Sequence, residues 1–436
     1  MINDTAHETM NESSLHEDVH HSCHSSRFIL SIILVVILQP VLYSSISRSF
    51  NDTFSPQHGN IKNFTANSNT KLGFDHMVVL PKNITGSPHS TISLAIKKVF
   101  NDNGIKIVSG MNSGVQVTTA MEAKLRQVIP NAIPRKKSFR RDDIVLLTHL
   151  SISRLPQLMI QAQWWHGPIS AAIVITSEKD MDALFTFIDS NQETFSMTSF
   201  HVLVERPMGE GSYPYNVLRN LAMREAEADY ILAVDVDFVV GDYGNLRALV
   251  RDNEQVHNHL HSRRLLVLPA FENTAKGLKE EAVPKSKADI ISMVAEDEVS
   301  PFEINFWTKG HGATNFEMYY ANNTDILYEI TYRYDFEPYV LAYRHGLPRY
   351  WNDFRSYYYN KCSFFLEAHL MGFKFSVLRD FFVFHIGKSG SPPSFKGIPL
   401  VEQEKNWKFQ EYLSASYGIP LFNKIVQLLP MDEILA

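Results

Sequence analysis

Two aspartates separated by one residue stand at the end of an apolar run: Tyr230 to Val234 leads straight into Asp235-Val236-Asp237 and then Phe238 to Val240. An apolar run of this length reads as a buried strand, and a buried strand carries carboxylates only where something offsets their desolvation. A positive partner is therefore expected. On an extended backbone, side chains two apart point the same way, so both carboxylates would face one small volume. At about 4 Å and an effective dielectric near 20 they would repel by roughly 4 kcal/mol, enough to raise one pKa strongly or to demand a cation. Hard oxygen ligands suit Mn²⁺ or Mg²⁺, which fill their remaining sites with water and phosphate oxygens, so a nucleotide diphosphate is the natural partner of such a pair.

The same spacing recurs at Asp180-Met181-Asp182. That pair opens a helical stretch, where acids favour the positive end of the helix dipole, and its expected role is structural. The difference lies in position, since only the 235/237 pair ends an apolar strand.

The elements around the pair follow from pattern. IVLLTHL from Ile144, AAIVITS from Ala171, FHVLVE from Phe200 and YILAVDVD from Tyr230 read as strands, with the helical stretches RLPQLMIQAQWW, DMDALFTFIDSN and NVLRNLAMREAEA between them. In the last of these, Val217, Leu218, Leu221 and Ala222 share one helical face. This alternation predicts an α/β fold with a mostly parallel sheet flanked by helices, whose ligands bind beyond the carboxyl ends of the strands.

The chain has 436 residues, 44% of them hydrophobic and 12% aromatic, enough for a large core. Its formal net charge of -6 gives no basic field, so no nucleic-acid partner is expected. Residues 28–47, FILSIILVVILQPVLYSSIS, carry no charge between Arg27 and Arg48 and are long enough for one membrane-spanning helix; a cleaved signal peptide is the rival reading. The boundaries expected are a cytosolic tail over 1–26, a transmembrane signal anchor over 27–47, a polar stem or linker over 48–140 and a catalytic domain over 141–436. Sequons at Asn51, Asn63, Asn83 and Asn322 favour a lumenal C-terminal portion, although Asn3 and Asn11 also head sequons. The two cysteines, Cys23 and Cys362, lie on opposite sides of the span and cannot pair within the chain; Cys362 is expected to be buried. The basic cluster Arg135-Lys136-Lys137 with Arg140-Arg141 is expected to be solvated surface.

From about 143 to 395 the chain resembles the LARGE-like and β-1,4-glucuronyltransferase proteins of glycosyltransferase family 49. The resemblance rests on IVLLTHLSISRL, WHGPISAAIVI, YPYNVLRNLAMREAEADYILAVDVDF, GHGATNF, DFEPYV, PRY, Asn360-Lys361 and FVFHIGKSGSPPSF. It implies a GT-A type fold, a single-pass type II Golgi membrane protein with a lumenal catalytic domain, a UDP-sugar donor (glucuronic acid the first guess), a glycan or glycoprotein acceptor, inversion at C1, and Mn²⁺ (or Mg²⁺) held by Asp235 and Asp237. A late histidine commonly completes that metal shell, and His385 is the candidate, with a core or capping role as the alternative. Asn216 and Arg219, early in the helix before the aspartates, and Thr148 and Arg154, beyond the first strand, are candidate donor-binding residues; for the helix pair, solvated surface is the bland alternative.

One stretch departs from the family's pattern. Where similar proteins carry an Asp-Glu pair and a GFGWNK segment after PRY, this chain reads PRYWNDFRSYYYNK, with Ser356 and Tyr358 in place of glycines and Tyr359 in place of tryptophan. Large aromatics there should reshape an acceptor pocket. Asp353 is the candidate catalytic base, and Glu367 is expected on a helix surface or in a salt bridge. The departure also keeps open a catalytically inactive Golgi-anchored protein that binds glycans or stabilises a partner.

Overall fold

Chain order begins with a short strand, β1 (Val78–Val79), a helix, α1 (Pro88–Asn101), and β2 (Arg126–Ile133). Then come β3 (Ile144–Ser151), α2 (Leu155–Trp165), β4 (Ile169–Ile175), α3 (Glu178–Ser190), β5 (Thr198–Glu205), α4 (Tyr215–Glu225) and β6 (Tyr230–Ala233), the succession read from the apolar runs. The computed structural model describes residues 78–79, 87–101, 126–206, 212–277, 283–387 and 398–418. The assigned tail and membrane span lie outside these residues, and among the described residues no helix is long and apolar enough to cross a membrane.

Strands β3, β4, β5 and β6 form a parallel block in the order β5-β4-β3-β6. Every residue of β4 and β5 is buried, as expected where helices cover both faces of a parallel sheet. Beyond β6 the sheet becomes mixed. Strand β12 (Tyr339–Tyr343) is antiparallel to both β6 and β8 (Arg264–Leu268), β13 (Lys374–Leu378) is parallel to β8, and β11 (Leu327–Ile330) closes that edge antiparallel. The expectation of a mostly parallel sheet holds for the block β5-β4-β3-β6 and is corrected on both sides of it, where β2 and β12 run antiparallel. The four runs joined by helical crossovers lie parallel, and β12, antiparallel to both neighbours, is inserted between β6 and β8.

Order also begins before residue 141. Ile92, Ala95, Ile96 and Val99 of α1 join the main hydrophobic cluster, and β2 pairs antiparallel with β5. Part of the stretch assigned to a stem thus belongs to the folded unit. Strand β2 is hard to read in the sequence because Pro130 interrupts it: the register shifts between Ile129 and Ile133, and Asn131 adopts a φ of 50°.

A second sheet of four short strands positions the site. Its order is β10 (Val299–Pro301), β9 (Ala270–Asn273), β14 (Val383–His385), β7 (Phe238–Val240). Three strands of the large sheet feed it directly: β6 leads to β7, β8 to β9 and β13 to β14. The first of these transitions contains Asp235 and Asp237.

The candidate donor site

The chain does not stay extended through Asp235-Val236-Asp237. Strand β6 ends at Ala233, and the Phe238 N–H donates to the Asp235 carbonyl at 3.1 Å, closing a tight turn. The fully buried Gln161 of α2 holds that turn, its amide donating to the carbonyls of Asp235 at 3.0 Å and Phe238 at 2.8 Å. The expectation that both carboxylates share one volume is therefore corrected: the turn gives the two acids different partners.

Asp235 faces cations supplied by the fold. Its Oδ1 accepts from Arg219 Nη2 at 3.0 Å and lies 3.5 Å from His149 Nε2; its Oδ2 accepts from Lys361 Nζ at 3.0 Å and from the Tyr339 hydroxyl at 3.0 Å. Each partner arrives for a structural reason. The antiparallel insertion of β12 pairs Val340 with Ala233 and so sets Tyr339 beside the end of β6. Arg219 sits on the buried face of α4, and Lys361 immediately precedes α10 (Cys362–Leu370). Burial pushes the Asp235 carboxyl upward, but Lys361, Arg219 and His149 together outweigh it and hold the group well below the usual carboxylate range. His149, also buried, is pushed down by desolvation and stays neutral near pH 7.

Asp237, the last residue of the turn, is tied to the second sheet. The Ile386 N–H donates to the Asp237 carbonyl at 2.8 Å, and His385 pairs with Phe238 across β14 and β7. This backbone link brings His385 Nε2 to 3.7 Å from Asp237 Oδ2. That separation exceeds a hydrogen bond and suits two ligands of one divalent ion, each at about 2.1 Å. The pair fits a site of two protein ligands completed by water and phosphate oxygens. Asp235 could join as a direct ligand only if Lys361, Arg219 or Tyr339 yielded an oxygen, and among the described residues no cluster of three or more acid, histidine or cysteine ligands forms.

The other candidates separate. Asn216 is fully buried, and its amide donates to the carbonyls of Trp351 at 2.8 Å and Asn360 at 2.9 Å. Arg219 completes the set through Nη1, donating to Asn216 Oδ1 at 3.1 Å and Asn360 Oδ1 at 2.9 Å. These two residues therefore brace the site, and the solvated-surface alternative is excluded for both. Thr148 lies within β3 rather than beyond it; it is 2% exposed, its hydroxyl has no hydrogen-bond partner, and it lines a cavity of about 30 Å³ with His149, Asp235, Tyr339 and Lys361. That volume is the size of one water. Arg154 ends the turn Ile152–Arg154 and is exposed. Asp353 is exposed on the turn that follows Trp351. Glu367 departs from expectation: it is buried in α10 and accepts the Tyr412 and Tyr417 hydroxyls at 2.7 and 3.0 Å.

Residues without an assigned role in the sequence reading carry much of the electrostatics. Lys361, Tyr339 and His149 are three of the four partners of Asp235; the demand for a positive partner was a signal for Lys361, and nothing in the sequence reading marked Tyr339 or His149. Glu337, two residues before Tyr339, is half-buried; burial pushes its carboxyl up to about 7 against the pull of Lys361. Cys362 is buried and free, as expected.

The fold and site define an α/β protein with an acid-histidine pair beside a cationic cluster at strand ends. The family model described as "Glycosyl-transferase for dystroglycan" matches residues 191–414, and the chain belongs to that family. It is 30% identical over 289 residues to a xylosyl- and glucuronyltransferase LARGE2s of Danio rerio, an alignment covering 63% of this chain and 36% of that protein. Xylosyl- and glucuronyltransferase LARGE1 of Mus musculus is 29% identical with the same coverage, and the glycosyltransferase-like protein gnt14 of Dictyostelium discoideum is 28% identical over 56% of this chain and 37% of its own length. The match spans about a third of the length of these relatives. Among solved structures, S. aureus TarS 1-349 with UDP-GlcNAc aligns at 13% identity and a TM-score of 0.37 over 65% of this chain and 69% of that one; GalNAc-T7 with UDP, GalNAc and Mn²⁺ aligns at 12% and 0.37 over 67% and 54%.

Proposed function

We propose that the chain is a GT-A type, metal-dependent, inverting glycosyltransferase that moves a sugar from a UDP-sugar, glucuronic acid first, to a glycan or glycoprotein acceptor. The reading extends to a type II Golgi membrane protein anchored through residues 27–47. Family membership supports the chemistry, and the exposed sequon at Asn322 is compatible with a lumenal face. The observation that carries the reading is the pairing of Asp237 with His385 next to a cluster in which two cations, Arg219 and Lys361, contact a single carboxylate. The pair suits a divalent ion, and the surplus positive charge suits a diphosphate.

When bound, Mn²⁺ held by Asp237 and His385 would supply charge stabilisation for the departing diphosphate. The chain's own residues do the rest. Lys361 and Arg219 are fixed by Asp235, Asn360 and Asn216, so they can face developing negative charge without reorganising. A carboxylate must take the acceptor's proton. Asp353 is open to an incoming acceptor, whereas Glu337, at about 7, has the proton affinity that a base working near neutrality needs.

One observation favours the second reading, a glycan-binding protein without turnover: both oxygens of Asp235 are engaged within the fold. Release of UDP from UDP-glucuronic acid and UDP-xylose by the purified chain, with Mn²⁺ and with EDTA, separates the two. Turnover that requires Mn²⁺ is expected; nucleotide binding with no turnover on any UDP-sugar would replace the transferase reading with the second.

A further inference from the structure

The 351–361 segment, where this chain departs from its family's pattern, places Tyr357 73% exposed to solvent. It is not an isolated ring. Tyr357 lies 5.9 Å from Tyr215, Tyr215 lies 4.6 Å from Tyr213, and Tyr213 lies 5.7 Å from His149, which reaches Asp235. A continuous aromatic ladder thus runs from the candidate donor site to the surface.

The loop that displays Tyr357 is tied to the same site. The Asn360 amide donates to the carbonyls of Ser356 at 2.8 Å and Tyr357 at 3.1 Å, while Asn360 Oδ1 accepts from Arg219. Tyr359 adopts a φ of 59°, a left-handed conformation that is strained for an aromatic residue and persists only where the surroundings impose it. The fold therefore spends strain and a shared asparagine on presenting an exposed ring beside the site.

We propose that Tyr357, backed by Tyr215, is the platform on which a pyranose ring of the acceptor glycan stacks. This rests on the transferase reading and names the acceptor face of the same site. A pyranoside with equatorial substituents offers a face of axial C–H groups, apolar and slightly positive, that complements the negative face of an aromatic ring, while its hydroxyls can reach the phenolic rim. A protein partner is a poorer fit, since a stable interface needs about 800 Å² per side and this is one ring on a polar loop.

The test titrates methyl β-D-xyloside and methyl β-D-glucuronide against the full chain by saturation-transfer NMR, with UDP affinity measured separately by calorimetry. At least one glycoside should bind the wild type, Tyr357→Ala should weaken it about five- to tenfold, and Tyr357→Phe, which keeps the ring, should stay within about twofold. UDP affinity should not change in either variant. If neither glycoside binds, or if Tyr357→Ala binds as the wild type does, the platform is overturned whatever UDP does. If the glycoside binds through Tyr357 while the wild type neither binds UDP nor turns over UDP-sugars, the platform stands and the transferase reading falls.

Discussion

Two Asp-x-Asp stretches lie 55 residues apart in one chain and do different work. Asp180 serves its own helix: its Oδ2 accepts the Thr176 N–H at 2.8 Å and the Thr176 hydroxyl at 2.6 Å, and its N–H donates to the Ser177 side chain that caps α3. Asp182 is 66% exposed and, among the described residues, meets His89 at 3.3 Å. At 235 and 237 the partners instead come from four other elements, α4, β12, the start of α10 and β14, and two of those on Asp235 are cations. The spacing is shared; what differs is whether the pair opens a helix or leaves a buried strand. A short motif becomes a site through what the fold places against it.

That contrast can be broken most severely at Arg219. Arg219→Met removes one of two cations from Asp235 and strips a donor from Asn216 and Asn360. Loss of one partner of a buried charge costs about 3–5 kcal/mol, and because Lys361 remains the low end, about 3 kcal/mol, is expected in urea unfolding. An unchanged midpoint would mean that Asp235 does not need its cations. The acid side has a pH signature: a carboxyl held low in the folded state adds stability above its unfolded value of about 3.9, and that stability is lost as pH falls below it.

Asp237 should show the opposite profile. Among the described residues the Asp237 side chain makes no polar contact closer than the 3.7 Å approach to His385, so Asp237→Asn should leave the unfolding midpoint in place. Mn²⁺-dependent UDP release should fall about 100-fold, equivalent to about 2.7 kcal/mol. A variant that unfolds early but keeps its turnover would reverse the roles assigned to the two acids.

Much of this was legible. The strands β3 to β6 and their helices are long apolar or amphipathic runs, so their order, and hence the strand end that carries the aspartates, follows from periodicity. The requirement for positive charge was legible too, but not its source: a metal and a lysine 126 positions away satisfy a carboxylate equally well on paper. The second sheet was not legible, since β7 and β14 are three residues each and look like continuations of the strands before them. The turn at 235–238 escaped for a related reason. Val236 and Phe238 read as strand, and only the amide of Gln161, supplied by another helix, reveals the bend.

Glu337 sharpens the comparison by a smaller amount. It shares Lys361 with Asp235 but lacks the direct contact, and burial wins, raising it to about 7. Between the unfolded value of about 4.3 and about 7, the folded protein holds a proton that the unfolded chain releases, so this group's contribution declines as pH rises. Glu337→Gln should therefore match the wild type near pH 4 and exceed it at pH 8, by on the order of 2 kcal/mol in urea unfolding. A wild type that already matches the variant at pH 8 would mean that the carboxyl is paired rather than merely buried.

The smallest effects belong to the first pair and test whether position really separates the two. Asp180→Ala removes the acceptor for two Thr176 donors at the start of α3, a capping loss of about 1 kcal/mol. Asp182→Ala removes an exposed contact and should stay within about 0.5 kcal/mol of the wild type. Neither should alter Mn²⁺-dependent UDP release, because the contacts of Asp180 and Asp182 are with Thr176, Ser177 and His89 and include neither Asp235, Asp237 nor their partners. If either substitution lowered turnover as Asp237→Asn does, while leaving the unfolding midpoint in place, a strand end would no longer distinguish a working pair from a structural one.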